Sequence, residues 1–444
     1  MAKVTQHKCP KCGAPLVLQK GVSDVACQYC RTVVHVEWGK KPPGGQQQLD
    51  GQQQLVIYAK NPLPAVVIVL IVLGLLVPIG GTVLMLFGTV AVGMFTAFQA
   101  ADGIQAAAGL TPSTSVAKSF PVTCGMNQEV LISAQKFEGP GPLVTGEVNC
   151  KIRIKDSTLK ATDGVVVLAK NMAEVTVENS TLEGKEAAVK LAVNSKLFAK
   201  KKSAFRGPEL AIFAGINSEI GLDETSVEGG ETGIQADSAF NLTGTKSTIS
   251  GKDYGIRGTG GTLSVVGKEL VMKGGRAALE TPYNLKLDLR GGLAEGGEVG
   301  VRLKQSNAEI KLSRGAEVRG KEVGIKADVN LQLDMEDASV VGGDIAVEAG
   351  GNPKLTLGPK SRIHGKSLAL KLGVNTKLDL RDASIESEGT AICAAFNVEI
   401  QARNSKIKGG TEAFRFEEKP DQLELAQTSV TGKQTFNAKG CGAR

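Results

Sequence analysis

The chain has 444 residues, with 52 Lys/Arg against 45 Asp/Glu and a net charge of +7; 42% of it is hydrophobic, only 4% is aromatic, and 55 residues are glycine. So mild a positive balance excludes a dominant electrostatic footprint for nucleic acid, and the shortage of aromatics counts against sugar-stacking clefts. The eight cysteines fall into two unlike groups, which points to two redox settings.

Residues 1–40 carry the first group. Cys9-Pro-Lys-Cys12 and Cys27-Gln-Tyr-Cys30 form C-x2-C, fourteen residues, C-x2-C. Four thiolates at this spacing suit one tetrahedral Zn²⁺, and because four protein ligands leave no open position, such a metal is structural. The stretch resembles the zinc-ribbon family, with Cys9, Cys12, Cys27 and Cys30 at its ligand positions. Iron in a rubredoxin-like site is the alternative. His7 and His35 are surplus to the ligand count. No βαβ pattern surrounds either pair, which argues against a thioredoxin-type redox site.

Residues 41–61, rich in Pro, Gly and Gln, read as a linker. Residues 62–98 contain no charged residue. A run of that kind reads as a transmembrane segment, and it starts too late for a cleavable signal. One tilted span near 64–87 is the expected arrangement. A hairpin broken at Pro78 and Gly80-Gly81 is the alternative, but its first leg is short for a bilayer. Residues 1–61 hold eight Lys/Arg and three Asp/Glu, while the first basic residue after the run is Lys118. The positive-inside bias then predicts a single-pass protein of the cell inner or plasma membrane, N-terminus cytoplasmic and the remainder outside.

Residues 99–148 are expected to connect to, and cap, a solenoid. Cys124, Cys150, Cys393 and Cys441 have no metal spacing, and on the exported side they suit two disulfides. Cys124–Cys150 would staple the cap, and Cys393–Cys441 would tie the tail, residues 431–444, over the last coils.

From 149 to 430 the chain repeats. Asn149, Asn171, Asn194 and Asn217 are followed, after a gap of 67, by Asn284, Asn307, Asn330, Asn352, Asn375 and Asn397, at spacings of 22 or 23. Asp421 closes the series. Each Asn precedes an alternating apolar pair such as Ile152/Ile154 or Leu378/Leu380, then a small polar turn, then a second and a third short run. Period-two alternation predicts strands with one face buried. Three strands per repeat make one coil of a parallel β-helix, about twelve coils in all. Asn suits a left-handed corner, and its amide can both donate and accept from coil to coil. The predicted class is therefore mainly β, a right-handed parallel β-helix with an Asn ladder, preceded by the zinc ribbon and the membrane segment. This grammar resembles the pectate-lyase-like superfamily of right-handed β-helices; the resemblance is architectural, and unrelated activities share that fold.

Chemistry is thin along the repeat. The outward position four after each Asn reads Asp288, Lys311, Asp334, Thr356, Asp379, Gln401, and the neighbouring row reads Lys286, Glu309, Gln332, Lys354, Lys377, Glu399. Asp288 and Asp334 lie two coils apart, roughly 9–10 Å, a separation that paired hydrolytic carboxylates can use. Lys311 between them makes a charge-alternating ladder, for which cross-strand ion pairs on a solvated face are sufficient. His364 reads as a surface turn. Residues 99–444 hold 44 basic and 42 acidic residues, a net of +2, so no nucleic acid is expected. No catalytic or organic-cofactor-binding residues are predicted. The expected role is non-enzymatic: an anchored binding, adhesive or scaffolding surface for an envelope polysaccharide or protein, with a zinc module that docks a cytoplasmic partner. The rival readings are a polysaccharide lyase or hydrolase, and a cytoplasmic polymerising scaffold resembling bactofilins.

Overall fold

The computed structural model describes residues 114–117, 119–305 and 307–441, together with the backbone of five short strands between His7 and Ala59. The chain divides into two compact units, Met1–Ala107 and Ala108–Arg444.

In the first unit, His7–Lys8 pairs antiparallel with Pro15–Leu16, and Asp24–Ala26 pairs antiparallel with Val33–Val36. A further strand, Ile57–Ala59, pairs with Val34–Val36, so the end of the expected linker is strand. The four C-x2-C cysteines and the uncharged run 62–98 lie outside the described residues. Among the described residues, no helix is long and apolar enough to cross a membrane.

The second unit is a parallel β-solenoid of about 14 turns. Glu174–Glu178, Thr181–Gly184 and Ala187–Leu191 are one coil, and each strand pairs in register with its counterpart one coil before and one coil after. The three faces are termed first, second and third in that order. Alternation along each strand puts one side chain inward and the next outward. The inward rows stack: Ile152, Val175, Leu197, Ile220 and Leu242 are successive partners on the first face, each at most 1% exposed. A single core therefore runs the length of the unit, and no coil could bury its apolar side alone.

Three corners close each coil by three different means. The corner between the third and first faces carries the asparagines. Asn149, Asn194, Asn217, Asn330, Asn352, Asn375 and Asn397 are left-handed there, with φ between 49° and 56°. Amide-to-amide bonds run unbroken through Asn284, Asn307, Asn330, Asn352, Asn375 and Asn397, at 2.7–3.3 Å. Between the first and second faces, a column of left-handed residues runs from Ala134 to Gln427, whatever their type, one per coil except at Lys201-Lys202 and Arg314-Gly315. A small residue often follows it. Ser157 Oγ donates to Lys155 O, 2.7 Å, and accepts the Gln135 N–H, 3.1 Å, from the coil before. Ser180 and Ser247 repeat the arrangement. These hydroxyls satisfy backbone groups that a buried turn would otherwise leave unpaired. The third corner is built on glycine.

The structure corrects the repeat reading in four places. Residues expected to be a cap are coil: Val122–Cys124, Glu129–Ser133 and Lys136–Gly139 pair in parallel with the next coil. Asn127 is left-handed, and Asn149 Nδ2 donates to its Oδ1 at 3.2 Å, so the ladder begins one rung earlier. At the other end Gln422–Ala426 and Ser429–Thr435 form a further coil, which raises the count from twelve to about 14. Asn171 is not on the ladder; Met172 holds the left-handed position at φ 57°. The gap of 67 holds three ordinary coils, as its length implies, in which Ala239 and Gly261 take that position. Asp421 falls one residue past the ladder, since the register Glu399↔Gln422 sets it beside Val398.

Cys124 and Cys150 are bonded, with Cα atoms 6.0 Å apart, and join the first coil to the second inside the core. Cys393 and Cys441 are bonded, with Cα atoms 5.3 Å apart. Cys393 points outward from the third face, and Cys441 brings the tail back to it. Glu417 Oε1 accepts the Cys441 N–H at 2.7 Å.

The ladder's contribution is testable. Asn352 donates to Asn330 and accepts from Asn375. Asn352→Ala removes both bonds and places a Cβ without amide compensation in the left-handed region. The expected cost is about 1–2 kcal/mol in urea unfolding. Asn352→Gly, which restores the backbone freedom, should recover part of it; equal losses for the two would show the backbone term to be negligible.

Candidate binding groove

The carboxylates singled out from the sequence line a groove of about 950 Å³ beside the corner between the first and second faces. Asp288, Lys311 and Asp334 are adjacent partners on the first face, in the expected order. Arg290, Arg314, Glu336, Asp337 and Arg381 complete the charged lining. Arg314 and Gly315 are both left-handed, φ 55° and 79°, where most coils use one residue and one other, at Lys201-Lys202, uses two. The ladder shifts register between Ser313 and Ala316. Gly358 and Pro359 widen another coil of the same corner. The groove is thus a product of two looser corners on either side of the Asp337 coil.

Its charges are largely paired within single strands. Arg290 holds Asp288 through Nε at 3.2 Å and Nη2 at 2.7 Å, and Arg381 holds Asp379 in the same bidentate way. Lys311 Nζ lies 2.7 Å from Glu309, and Gln332 Nε2 donates to Asp334 Oδ2 at 3.0 Å. The sequence expectation of cross-strand pairs is therefore half the picture: i,i+2 pairs carry this part of the first face. Arg290 and Arg381 are held above the ordinary guanidinium range by their aspartates, chiefly through the hydrogen bond. Glu309 is held low by its hydrogen bond from Lys311. Lys311 is raised by Glu309, with smaller contributions from Asp334 and Asp288.

The second face shows true cross-coil alternation. Its outward row runs Glu138, Lys160, Glu183, Arg206, Glu228 in register. Lys160 Nζ is 3.2 Å from Glu138 and 3.7 Å from Glu183. Further along, Lys273 and Glu295 pair at 3.1 Å. His364 lies in this same row, exposed, between Val341 and Glu386; it is on a strand, not in the turn expected. Two smaller grooves flank this row, beside the glycine corner.

The third face holds the most buried charges. Glu280 accepts from Arg302 at 3.2 Å and Lys304 at 3.4 Å. Glu348 lies between Lys326 and Lys371, both at 2.9 Å. Burial acts to raise the Glu348 carboxyl, but the two lysine hydrogen bonds outweigh it and hold it low. Sequence reading missed both carboxylates, because nothing in the one-dimensional pattern marks an outward Glu that neighbours cover.

Among the described residues, no group of three or more His, Cys, Asp or Glu is arranged to hold a metal ion. The carboxylates displaced from their ordinary pKa, Glu178, Glu309, Glu348 and Glu386, are all held low by lysines. A general acid needs the opposite displacement. Compared with models of protein families, with curated proteins and with solved structures, the chain matches none of them.

Proposed function

We propose that the chain is a membrane-anchored, non-enzymatic scaffold or binding protein of the cell envelope. In this reading residues 62–98 are a single transmembrane span, the β-solenoid lies outside, with the right-handed coiling usual for parallel crossovers, and Cys9, Cys12, Cys27 and Cys30 hold a structural Zn²⁺ in a cytoplasmic zinc ribbon. The short antiparallel strand pairs that bracket each cysteine pair in sequence suit such a module. The solenoid would present its flat faces to an envelope polysaccharide or protein, and the ribbon would dock a cytoplasmic protein.

The observation that carries the non-enzymatic reading is the pairing of the groove. Asp288 is clamped by Arg290, and Lys311 stands between Asp288 and Asp334. A hydrolase would need one carboxyl free to donate a proton and another free to attack or to activate water. The two bonded cysteine pairs, Cys124–Cys150 and Cys393–Cys441, favour an oxidising compartment for the solenoid.

Thiol labelling tests topology and compartment together. On intact spheroplasts, a membrane-impermeant maleimide should label Cys124, Cys150, Cys393 and Cys441 only after reduction. Cys9, Cys12, Cys27 and Cys30 should become reactive only after lysis and chelation, with about one zinc released per chain. Free solenoid thiols reached only on lysis would instead favour the cytoplasmic polymerising scaffold. Cleavage of an envelope polysaccharide that disappears in Asp334→Asn would overturn the non-enzymatic reading.

A further inference from the structure

The corner that carries the Asn ladder also carries an apolar ridge. The residue just before the left-handed position is exposed and repeatedly hydrophobic: Val193 at 37%, Ile216 at 45%, Val329 at 36%, Val374 at 39% and Phe396 at 39% exposure. Met126, before Asn127, is 64% exposed, and Tyr283, before Asn284, 49%. In the coil where the order is reversed, Asn171 takes the ridge position, and Met172, 49% exposed, keeps an apolar side chain on the corner. Backbone bonds stack these positions coil on coil: Met172 N–H to Val193 O, Asn194 N–H to Ile216 O, Asn352 N–H to Val374 O, Asn375 N–H to Phe396 O, all 2.8–3.0 Å. The other large exposed apolar residues are Val116 and Phe436, near the solenoid's ends, and Val266 on the first face. A solvent-facing turn gains nothing from Met, Ile or Phe, so their recurrence at one corner marks a surface that is covered in use.

We propose that this ridge is the contact surface between two copies of the chain, packed side by side along the solenoid. Three observations select a second copy. The first is area. With full side-chain areas of about 150–230 Å², the exposed fractions sum to roughly 600–700 Å² per chain, close to the ~800 Å² per partner of a standard interface. The flanking asparagine side chains supply most of the difference. The second is repeat. The teeth stand at multiples of the coil rise of roughly 4.8 Å, interrupted at Ser238, Gly260 and Gly351, and the partner that matches this spacing over roughly 60 Å is another solenoid of the same rise. The third is charge. The outward row nearest the ridge on the first face has Lys151, Lys196, Lys286, Lys354 and Lys377 against Glu129, Glu174, Glu219, Glu309 and Glu399. Five cations and five carboxylates leave this flank without net charge, so two copies can meet along their first faces without repulsion, whereas the third-face row on the ridge's other side, from Lys190 to Arg415, is net positive.

Site-directed photocrosslinking of the full-length chain in intact cells tests this. Benzoylphenylalanine is placed at Ile216 or at Phe396, both on the ridge, and at Ser250, outward on the second face, as control. Irradiation should convert the 46.3 kDa chain to a product of about twice that mass from the ridge positions, absent from Ser250. In a second set of variants, Val193→Asp combined with Val374→Asp should abolish the product from Ile216 and Phe396. Thermal unfolding of this double variant should match the wild type, since both substituted positions are exposed. Adducts only to lipid, adducts only to a different protein, or no adduct from either ridge position would each overturn the proposal. So would a doubled product that persists in the Asp variant. The outcome does not depend on the anchor: a cytoplasmic solenoid would give the same doubled product, whereas the maleimide test would separately reject the topology.

Discussion

Gly342→Ala should cost the solenoid about 3 kcal/mol or more, although it adds a single methyl group. Gly342 ends a second-face strand, and the chain folds back so closely that a Cβ there would lie 1.8 Å from Ile345 O and 2.2 Å from its carbonyl carbon. Both atoms are backbone, so no rotamer change relieves the overlap; the corner itself has to open. Opening it moves the Ile345–Gly351 strand away from its partners Val323–Val329 and Leu368–Leu372. In a stacked repeat that damage passes to both neighbours. Gly315→Ala is the contrasting variant. Gly315 has φ +79° and no atom within 4 Å of an added Cβ, so only left-handed strain, about 1 kcal/mol, is expected. Urea unfolding and limited proteolysis of the two variants distinguish the effects. Equal losses would mean that the glycine corner is held by conformational preference and not by contact. The corner has other solutions: Ser387 holds the corresponding place in its coil, where it donates to Lys366 O and accepts from Gly389 N–H.

The repeat was legible because its causes are local and recur. One-sided burial forces period two, and a ladder of amides favours one residue type at one corner. The same reasoning explains its failures. Asn was used as the marker of the corner, but the corner is defined by conformation, which Met172, Ala239 and Gly261 also adopt. Counting asparagines therefore slips by one residue at Asn171, and the three coils between Asn217 and Asn284 are reached only from the length of the gap. Asn127 stands 22 residues before Asn149, so the first coil was within reach of the same count. The other left-handed column, from Ala134 to Gln427, has no common residue type and could be found only through the small residues that often follow it.

The groove was legible in its order but not in its pairing. Strand register follows from the repeat, so Asp288, Lys311 and Asp334 fell where expected. Whether a cation reaches across to the next coil or along its own strand depends on rotamers. Arg290 and Arg381 take the nearer choice, two residues away. The ridge, by contrast, was written plainly: Val193-Asn194, Ile216-Asn217, Val329-Asn330, Val374-Asn375 and Phe396-Asn397 repeat an apolar residue before the ladder amide. The attention given to Asn as a structural residue hid its neighbour as a surface one.

Glu348→Gln should cost about 3 kcal/mol near neutral pH and very little in acid. The side chain of Glu348 is only 10% exposed, and it alone compensates Lys326 and Lys371, each 2.9 Å away. Gln keeps the shape but leaves two ammonium groups close together without their shared counter-charge, and removing one partner of a buried ionic set typically costs about 3–5 kcal/mol. The lower end is expected because Lys326 is 40% exposed and can turn to water. The pH dependence follows from the direction of the shift. The folded carboxyl is held below its ordinary value of 4.5, so the unfolded chain takes up the proton first as pH falls. The stabilisation is therefore complete above about pH 4.5–5 and is lost as pH falls through the folded value. Once Glu348 is protonated in both states it resembles Gln, and the two proteins should converge. Urea midpoints of both, taken from about pH 7 down to about pH 3, give the test. A difference that stays constant over that range would show that Glu348 acts through packing, and a difference that grows in acid would reverse the sign of the argument. Arg381→Gln, at the more exposed pair with Asp379, should by comparison move stability little at any pH. The contrast identifies burial, not the number of ion pairs, as what gives the third face its electrostatic weight.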